Sequence, residues 1–108
     1  QKFKKIEAII TPYTSHNEEH VYQLYTIQVK GNKTRDKLQQ HLSKKRIMTK
    51  IFFDPIHLST YYKNLGYKKD ELPVTEKISK TILSLPIFPG LKKDEISYVC
   101  ESVKEFFE

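Results

Sequence analysis

Cysteine and glycine are scarce in this chain of 108 residues, which contains one Cys and three Gly. The single thiol, Cys100, cannot form an internal disulfide or a thiolate metal cluster. We therefore expect a cytoplasmic protein, because disulfides accumulate in oxidising compartments. The glycines Gly31, Gly66 and Gly90 are isolated, so the chain has no glycine-rich loop to cradle a phosphate.

Long hydrophobic runs are absent as well. No apolar stretch approaches the roughly 20 residues of a membrane-spanning helix, and we expect no membrane partner. The start does not resemble a signal peptide, because Lys4, Lys5 and Glu7 interrupt its apolar residues. Since the first residue is Gln1 rather than Met, we expect a processed or cut end there.

Basic residues are abundant. Lys and Arg number 19 against 13 Asp and Glu, which gives a formal charge of +6. This balance attracts phosphate groups, but the lysines are scattered along the chain, which indicates a solvated surface rather than a nucleic-acid face.

The length and a hydrophobic fraction of 38% fit one modest core, so we predict a single domain over residues 1–108.

Three short segments, residues 24–30, 47–53 and 83–87, have the pattern of β-strands. In the first, apolar and polar residues alternate, as in a half-buried strand. The other two lead into Pro55 and Pro86, and proline cannot donate to a sheet ladder. We expect these two proline elbows to lie side by side at one sheet edge, where a binding site could form.

Three longer segments are predicted helices, near residues 35–45, 74–82 and 93–107. Thr34 is a plausible N-cap for the first, and Pro73 suits the first turn of the second. In the second helix, Glu76 can pair with Lys80 on the exposed side. The third has an apolar stripe facing the core, formed by Ile96, Val99, Cys100, Val103, Phe106 and Phe107.

Two regions leave alternatives open. Residues 1–11 fit either the end of a helix or a short strand. A short helical turn ending at Gly66 carries Tyr61 and Tyr62, which could stack on a sugar or base, although core packing is favoured for at least one of them. The predicted fold is α+β, with a small, mainly antiparallel sheet of about three strands packed with helices on one face.

Histidine is the main candidate for chemistry. His16 and His20 are four residues apart but lack further ligands, so we expect no metal site. His41 is expected on a helix surface. His57 follows Pro55 at the end of a strand, where it could bind a substrate hydroxyl or phosphate, or equally cap the next helix. No serine has the pattern of a nucleophile elbow.

Several segments together carry a family pattern. The segments are His20–Val29, Arg35–Leu38, Ile47–Leu58, Leu72–Lys77 and Ile82–Leu91. They contain the motifs Pro-x-His-Leu at residues 55–58 and Leu-Ser-Leu-Pro-x-x-Pro at residues 83–89. In this order they resemble the C-terminal small domain of DegT/StrS-type aminotransferases, enzymes that use pyridoxal phosphate to aminate nucleotide-linked keto sugars. Gln23 and Arg46 depart from the pattern, which commonly has His and Gly there.

The resemblance implies a lid domain, like the small domain of fold-type I aminotransferases, that contributes to the sugar-nucleotide pocket. It implies substrate-binding roles for Thr49, Phe52 and His57. In the family, the Schiff-base lysine and most cofactor contacts belong to a large domain, so it implies no catalytic or cofactor-binding residue in this chain. We therefore expect a truncated product or excised fragment that is inactive alone.

The resemblance also implies partners and a pathway. The partners are the large domain or a second subunit and a nucleotide sugar, in polysaccharide or lipopolysaccharide sugar biosynthesis, with a dimer as the usual assembly. An exposed apolar patch is expected where such a partner docks, from residues 1–11 and the Tyr61–Tyr62 region. The alternatives are a bare interaction domain without a ligand, or a stand-alone basic module that presents Tyr22, Tyr25 and Phe52 to RNA.

Overall fold

The computed structural model describes residues 2–108. The elements in chain order are β1 (Ile9–Ile10), β2 (Tyr25–Val29), α1 (Thr34–Lys44), a 3-10 turn (Ile56–Leu58), α2 (Thr60–Asn64), α3 (Pro73–Ser79), β3 (Ile82–Leu85) and α4 (Lys93–Phe107). The three strands form one antiparallel sheet in the order β1-β2-β3. The predicted α+β class is therefore confirmed.

The core lies between the sheet and helices α1 and α4. Strand β2 is central and pairs Ile27 with Leu83 of β3. The alternation predicted for β2 is confirmed, because Ile27 and Val29 are fully buried. Helix α1 packs against β2, β3 and α4. The buried apolar side chains are Phe3, Ile9, Ile27, Val29, Leu38, Leu42, Ile47, Leu83, Leu85 and Val103.

The strand predicted for residues 47–53 does not form. This segment pairs with β3 only at Lys50 and Ser84, which exchange two backbone hydrogen bonds of 3.1 and 2.7 Å. Continuing this antiparallel register would place Pro86 next, which has no N–H to donate. In the other direction the carbonyl oxygen of Ile82 already accepts a hydrogen bond of 2.9 Å from Nη1 of Arg35. Both neighbouring positions on the β3 edge are thus closed to residues 47–53.

The two proline elbows do not meet at one edge. The Lys50–Ser84 bridge is antiparallel, so the chain leaves it toward Pro55 in one direction and toward Pro86 in the opposite direction. The expectation that the elbows lie side by side was therefore wrong. The physical reason is strand direction, which no local pattern reveals.

The helices begin and end close to the predicted residues. Helix α1 begins at Thr34, but Lys33 rather than Thr34 is the N-cap residue. Gly31 is needed just before it, because its φ is +102° and a Cβ there would lie 2.5 Å from the Thr34 hydroxyl. Pro73 opens α3 as predicted, and α4 spans the predicted residues.

The opening residues of the chain form turns that lead into β1, so within the described residues the short-strand interpretation holds. Gln1 lies outside the described residues. Phe3 and Ile9 are buried in the core. In the part of the chain that the structure describes, no helix combines the length and apolar character needed to span a bilayer.

Candidate functional site

The three residues expected to bind substrate lie on one segment, residues 49–57, which runs from just before the Lys50 bridge into the 3-10 turn. Thr49 and Phe52 are half-buried. The Phe52 ring packs edge-on against Phe53, with centroids 5.1 Å apart. An open depression of about 930 Å³ is lined by residues that follow them in the chain, namely Phe53, Asp54, Pro55, Ile56, Leu58, Ser59 and Thr60. Thr49 and Phe52 are not among the residues that line it.

His57 is placed differently from the other two. Its side chain is 5% exposed, and its Nε2 lies 2.9 Å from Oε1 of Glu76, whose side chain is 8% exposed. The same Glu76 oxygen accepts a hydrogen bond of 2.8 Å from the backbone N–H of Asp70. The ring of His57 therefore points into the domain and holds α3, rather than facing the open depression.

The hydrogen bond from His57 lowers the pKa of the Glu76 carboxyl below its ordinary value, and the Asp70 N–H adds to this effect while burial opposes it. Glu76 is therefore a carboxylate near neutral pH. The prediction that Glu76 pairs with Lys80 on an exposed face was wrong. Spacing along a helix indicates which residues can meet on its surface, but not that a neighbouring loop will cover that surface.

Arg35 is a second polar residue that the sequence did not single out for its role. Its guanidinium is largely buried and donates from Nη1 to the carbonyl oxygens of Ser79 and Ile82, at 3.0 and 2.9 Å. Its Nε donates to Asp36 at 2.6 Å. Arg35 thus joins α1 to the end of α3 and to β3. In the sequence, Arg35 was indicated only as part of the family segment Arg35–Leu38. Membership of that segment does not specify the hydrogen-bond partners of Arg35.

The remaining histidines form no ligand set. Nδ1 of His20 accepts a hydrogen bond from the backbone N–H of Tyr22. His41, expected on the helix surface, is half-buried, and its Nε2 lies 3.0 Å from the carbonyl oxygen of Ser102 in α4. Among the described residues, no group of three His, Cys, Asp or Glu side chains is arranged to hold a metal ion.

Pyridoxal phosphate requires a lysine that forms a Schiff base with it. A Schiff-base lysine normally lies in a dry pocket that makes its amine nucleophilic. Over residues 2–108 the lysines are exposed except Lys45 and Lys104, which are half-buried and paired with Glu105 and Glu101. Burial raises the pKa of the Cys100 thiol, so this group is no thiolate nucleophile either. Among residues 2–108, therefore, the lysines do not lie in a dry pocket of this kind.

The aromatic residues of the RNA-binding alternative do not form one platform. Tyr22 stacks on His20 at 4.1 Å and lies 6.3 Å from Tyr25, but Phe52 packs against Phe53 instead. Tyr25 is half-buried beside the core. A stacking face for single-stranded bases needs several exposed rings along one surface.

Residues 1–104 match the model of the DegT/DnrJ/EryC1/StrS aminotransferase family. The chain belongs to this family. The match covers nearly the whole chain, including the Thr49–His57 segment and α3, so the predicted resemblance is confirmed.

Individual relatives agree with this assignment. The chain is 38% identical over 102 residues to a pleiotropic regulatory protein of Geobacillus stearothermophilus, covering 94% of this chain and 27% of the relative. It is 32% identical over 104 residues to dTDP-3-amino-3,4,6-trideoxy-alpha-D-glucose transaminase of Streptomyces venezuelae, covering 95% of this chain and 27% of that protein. The crystal structure of S. venezuelae DesV superposes with a TM-score of 0.90 at 30% identity, covering 99% of this chain and 28% of that one.

Coverage is strongly unequal in all three comparisons. The chain spans little more than a quarter of the length of these relatives, whereas they match nearly all of the chain. The shared part is the α+β unit described above. The homologous proteins include nucleotide-sugar aminotransferases.

Proposed function

We propose that this chain is the small domain of an enzyme that aminates a nucleotide-linked keto sugar. In this role it closes over a larger domain and completes the substrate pocket. The observation that carries the proposal is the family match over residues 1–104 together with coverage of only 27% of a dTDP-sugar transaminase. Residues 1–108 act as one domain, and the sugar made enters cell-surface polysaccharide biosynthesis.

The cofactor of the complete enzyme in this proposal is pyridoxal phosphate, held by residues outside this chain. When bound, the cofactor supplies the electron sink that amino transfer requires. The lysines of this domain over residues 2–108 are solvent-facing or ion-paired. This favours a role for the domain in substrate binding rather than in the chemical step. The chain alone is therefore inactive.

The Thr49–His57 segment provides the domain's part of the pocket. Thr49 can donate or accept a hydrogen bond with a sugar hydroxyl, and Phe52 can cover an apolar sugar face. His57 contributes to the pocket indirectly, because its side chain lies inside the domain and is hydrogen-bonded to Glu76. The depression of about 930 Å³ along residues 53–60 leaves room for a ligand or for a partner surface beside them.

The expected partners are the larger domain or a second subunit. Phe53, Ile56, Tyr61 and Leu65 are each more than 60% exposed and lie close together in sequence. Such apolar surface is typical of a region covered by another part of an assembly. A cytoplasmic location stays our prediction, and the free thiol of Cys100 supports it.

A chimera tests this proposal. The segment of the S. venezuelae dTDP-sugar transaminase that aligns with this chain is replaced by the chain, and amino transfer to keto-sugar nucleotides is measured. We expect turnover by the chimera and none by the chain alone with pyridoxal phosphate and glutamate. Phe52→Ala in the chimera should raise KM, whereas Phe88→Ala on the opposite elbow should not. Turnover by the chain alone above a boiled control would contradict the proposal.

A second measurement addresses the RNA alternative. Binding to single-stranded RNA is followed across a range of salt concentrations, because neutralising phosphates makes affinity fall steeply with salt. We expect no more than weak binding that salt abolishes. Salt-dependent, tight binding that Tyr22→Ala removes would favour the binding module instead.

A further inference from the structure

One buried side chain attaches a long surface segment, residues 54–72, to the rest of the domain. This segment is called the excursion below. Between Phe53 and Thr75, all of which the structure describes, His57 is the one buried residue. The residues around it, including all of α2, are exposed or half-buried. Helix α2 contacts chiefly the 3-10 turn that contains His57. The attachment of this excursion to the core therefore depends on what His57 contacts.

His57 contacts a buried carboxylate whose Oε1 atom accepts two hydrogen bonds. Glu76 accepts hydrogen bonds from the His57 ring and from the Asp70 backbone N–H at the far end of the excursion. Burying an ionised carboxylate is unfavourable unless donors replace its water. Glu76 thus joins both ends of the excursion to α3.

Helix α3 is in turn joined to the core. The carbonyl oxygen of Ser79 in its last turn accepts a hydrogen bond of 3.0 Å from Arg35, which also bonds Ile82 of β3. Arg35 belongs to α1, whose Leu38 and Leu42 are fully buried. A continuous set of polar contacts therefore runs from the core through Arg35, α3 and Glu76 to His57.

The chemistry of the pair fixes the state of the histidine. An ionised carboxylate only accepts hydrogen bonds, so Nε2 of His57 must carry the proton that it donates to Glu76. Nδ1 of His57 is buried and has no hydrogen-bond partner among residues 2–108. In the neutral ring, the proton therefore lies on Nε2 rather than on Nδ1.

We propose that Glu76 is a positioning residue, which selects this tautomer of His57 and through it holds residues 54–72 against the domain. The inference rests on the proposed function in one respect, namely that residues 54–72 directly follow the segment that carries Thr49 and Phe52 to the substrate. Glu76 itself touches no substrate in this proposal. Its effect on the pocket passes through His57.

The test uses the 108-residue chain without any ligand. Long-range proton–nitrogen NMR correlation of the His57 ring reports its tautomer directly. Amide hydrogen exchange then compares the amides of Ser59, Lys63 and Tyr67, which are bonded within the excursion, with that of Val29, which is bonded in the sheet. The variants are Glu76→Ala, Glu76→Gln and the control Glu71→Gln, which alters an exposed carboxylate of the same excursion.

We expect the Nε2–H tautomer in the native chain. In Glu76→Ala, the excursion amides should exchange about 10 to 100 times faster, because a buried hydrogen-bond partner is lost, while Val29 exchange is unchanged. Glu76→Gln keeps an acceptor oxygen and should rescue part of the protection. Glu71→Gln should change neither group of amides.

Three results would overturn the inference. They are an Nδ1–H tautomer in the native chain, equal acceleration of the excursion and Val29 amides, and no acceleration in Glu76→Ala. If that variant does not fold, the native tautomer and the Glu76→Gln exchange rates still decide. These measurements need no substrate, so an inactive chimera would contradict the proposed function while leaving the inference about Glu76 to its own test.

Discussion

At the scale of single residues, two buried polar side chains organise this domain. Arg35 donates to the carbonyl oxygens of Ser79 and Ile82, 44 and 47 residues away. Glu76 accepts from His57, 19 residues away, and from the nearer Asp70 N–H. Buried polar groups are tolerated only when they are satisfied, so each specifies one arrangement of its partners. The loss of either should therefore be felt well beyond its own position.

Replacing Arg35 with lysine tests its role. Lysine keeps the charge but presents a single ammonium group in place of the planar fork, and cannot reproduce the bonds to Ser79, Ile82 and Asp36 together. We expect the free energy of unfolding to fall by about 1 to 3 kcal/mol, measured by urea denaturation. The matched control is Arg46→Lys at an exposed arginine, which should change stability by less than about 0.5 kcal/mol. Equal effects of the two changes would refute the role of Arg35.

The Glu76 carboxyl predicts a dependence of stability on pH. Its pKa in the folded chain lies below the ordinary value of 4.5, mainly because of the His57 hydrogen bond. The stabilisation is therefore complete above pH 4.5 and is lost as the pH falls through the lowered pKa. Urea midpoints measured from neutral pH down to acid should decline below that value, and less steeply in Glu76→Gln.

Some acid sensitivity should persist in that variant. The pKa of Glu105 is also lowered, by its hydrogen bond to Lys45, so it contributes in the same direction. Glu71→Gln is the control and should follow the native curve. A Glu76→Gln curve that coincides with the native one at every pH would show that Glu76 does not contribute.

At the scale of elements, the edge of β3 explains why the sheet has three strands. On this edge, Arg35 hydrogen-bonds the carbonyl oxygen of Ile82, and Lys50 pairs with the backbone of Ser84. Pro86 then ends the edge because it has no N–H to donate. An edge closed in this way is protected from pairing with another chain. Of segment 47–53, consequently, Lys50 is the residue that pairs with the sheet.

Helix α1 packs against both β2 and β3. Leu42 in its third turn is fully buried against this core. Leu42→Ala should lower the free energy of unfolding by about 2 to 5 kcal/mol, because it removes buried carbons and leaves a cavity. Leu65→Ala removes the same atoms from a side chain that is 61% exposed. A similar loss in both variants would show that the Leu42 side chain is not packed as described.

At the scale of the whole molecule, the domain is less compact than its length suggests. Its radius of gyration is 15.6 Å, whereas about 13 Å is typical of a compact domain of this size. Most residues of the loop before β2 and of the segment after Phe53 are exposed to solvent. The prediction that Tyr61 or Tyr62 packs in the core was wrong, because Tyr61 is 67% and Tyr62 37% exposed.

This exposed apolar surface predicts self-association of the isolated chain. Phe53, Ile56, Tyr61 and Leu65 should be covered when copies meet, since burying apolar surface is favourable. Sedimentation velocity over a wide concentration range should show a rising average mass. The double variant Tyr61→Ser, Leu65→Ser should reduce it, whereas Tyr13→Ser, at a tyrosine that is 84% exposed elsewhere, should not. A native chain that stays monomeric throughout would contradict this prediction.

Local pattern alone determined much of the fold. The alternation in β2, the start of α3 at Pro73 and the full length of α4 all follow from side-chain periodicity and from what proline permits. The family resemblance was likewise contained in short motifs. Each of these signals involves residues within one element, where spacing along the chain and spacing in space are linked.

Tertiary structure alone decided the rest. Glu76 meets His57 across 19 residues of chain, and Arg35 meets Ile82 across 47. The direction of the Lys50–Ser84 pairing separated the two proline elbows. Pro86 and the Arg35 hydrogen bond at Ile82 prevented the expected strand. These outcomes depend on which backbone groups are already bonded and on which surfaces lose contact with water. Both conditions are set by packing between distant segments, so no local sequence pattern carries them.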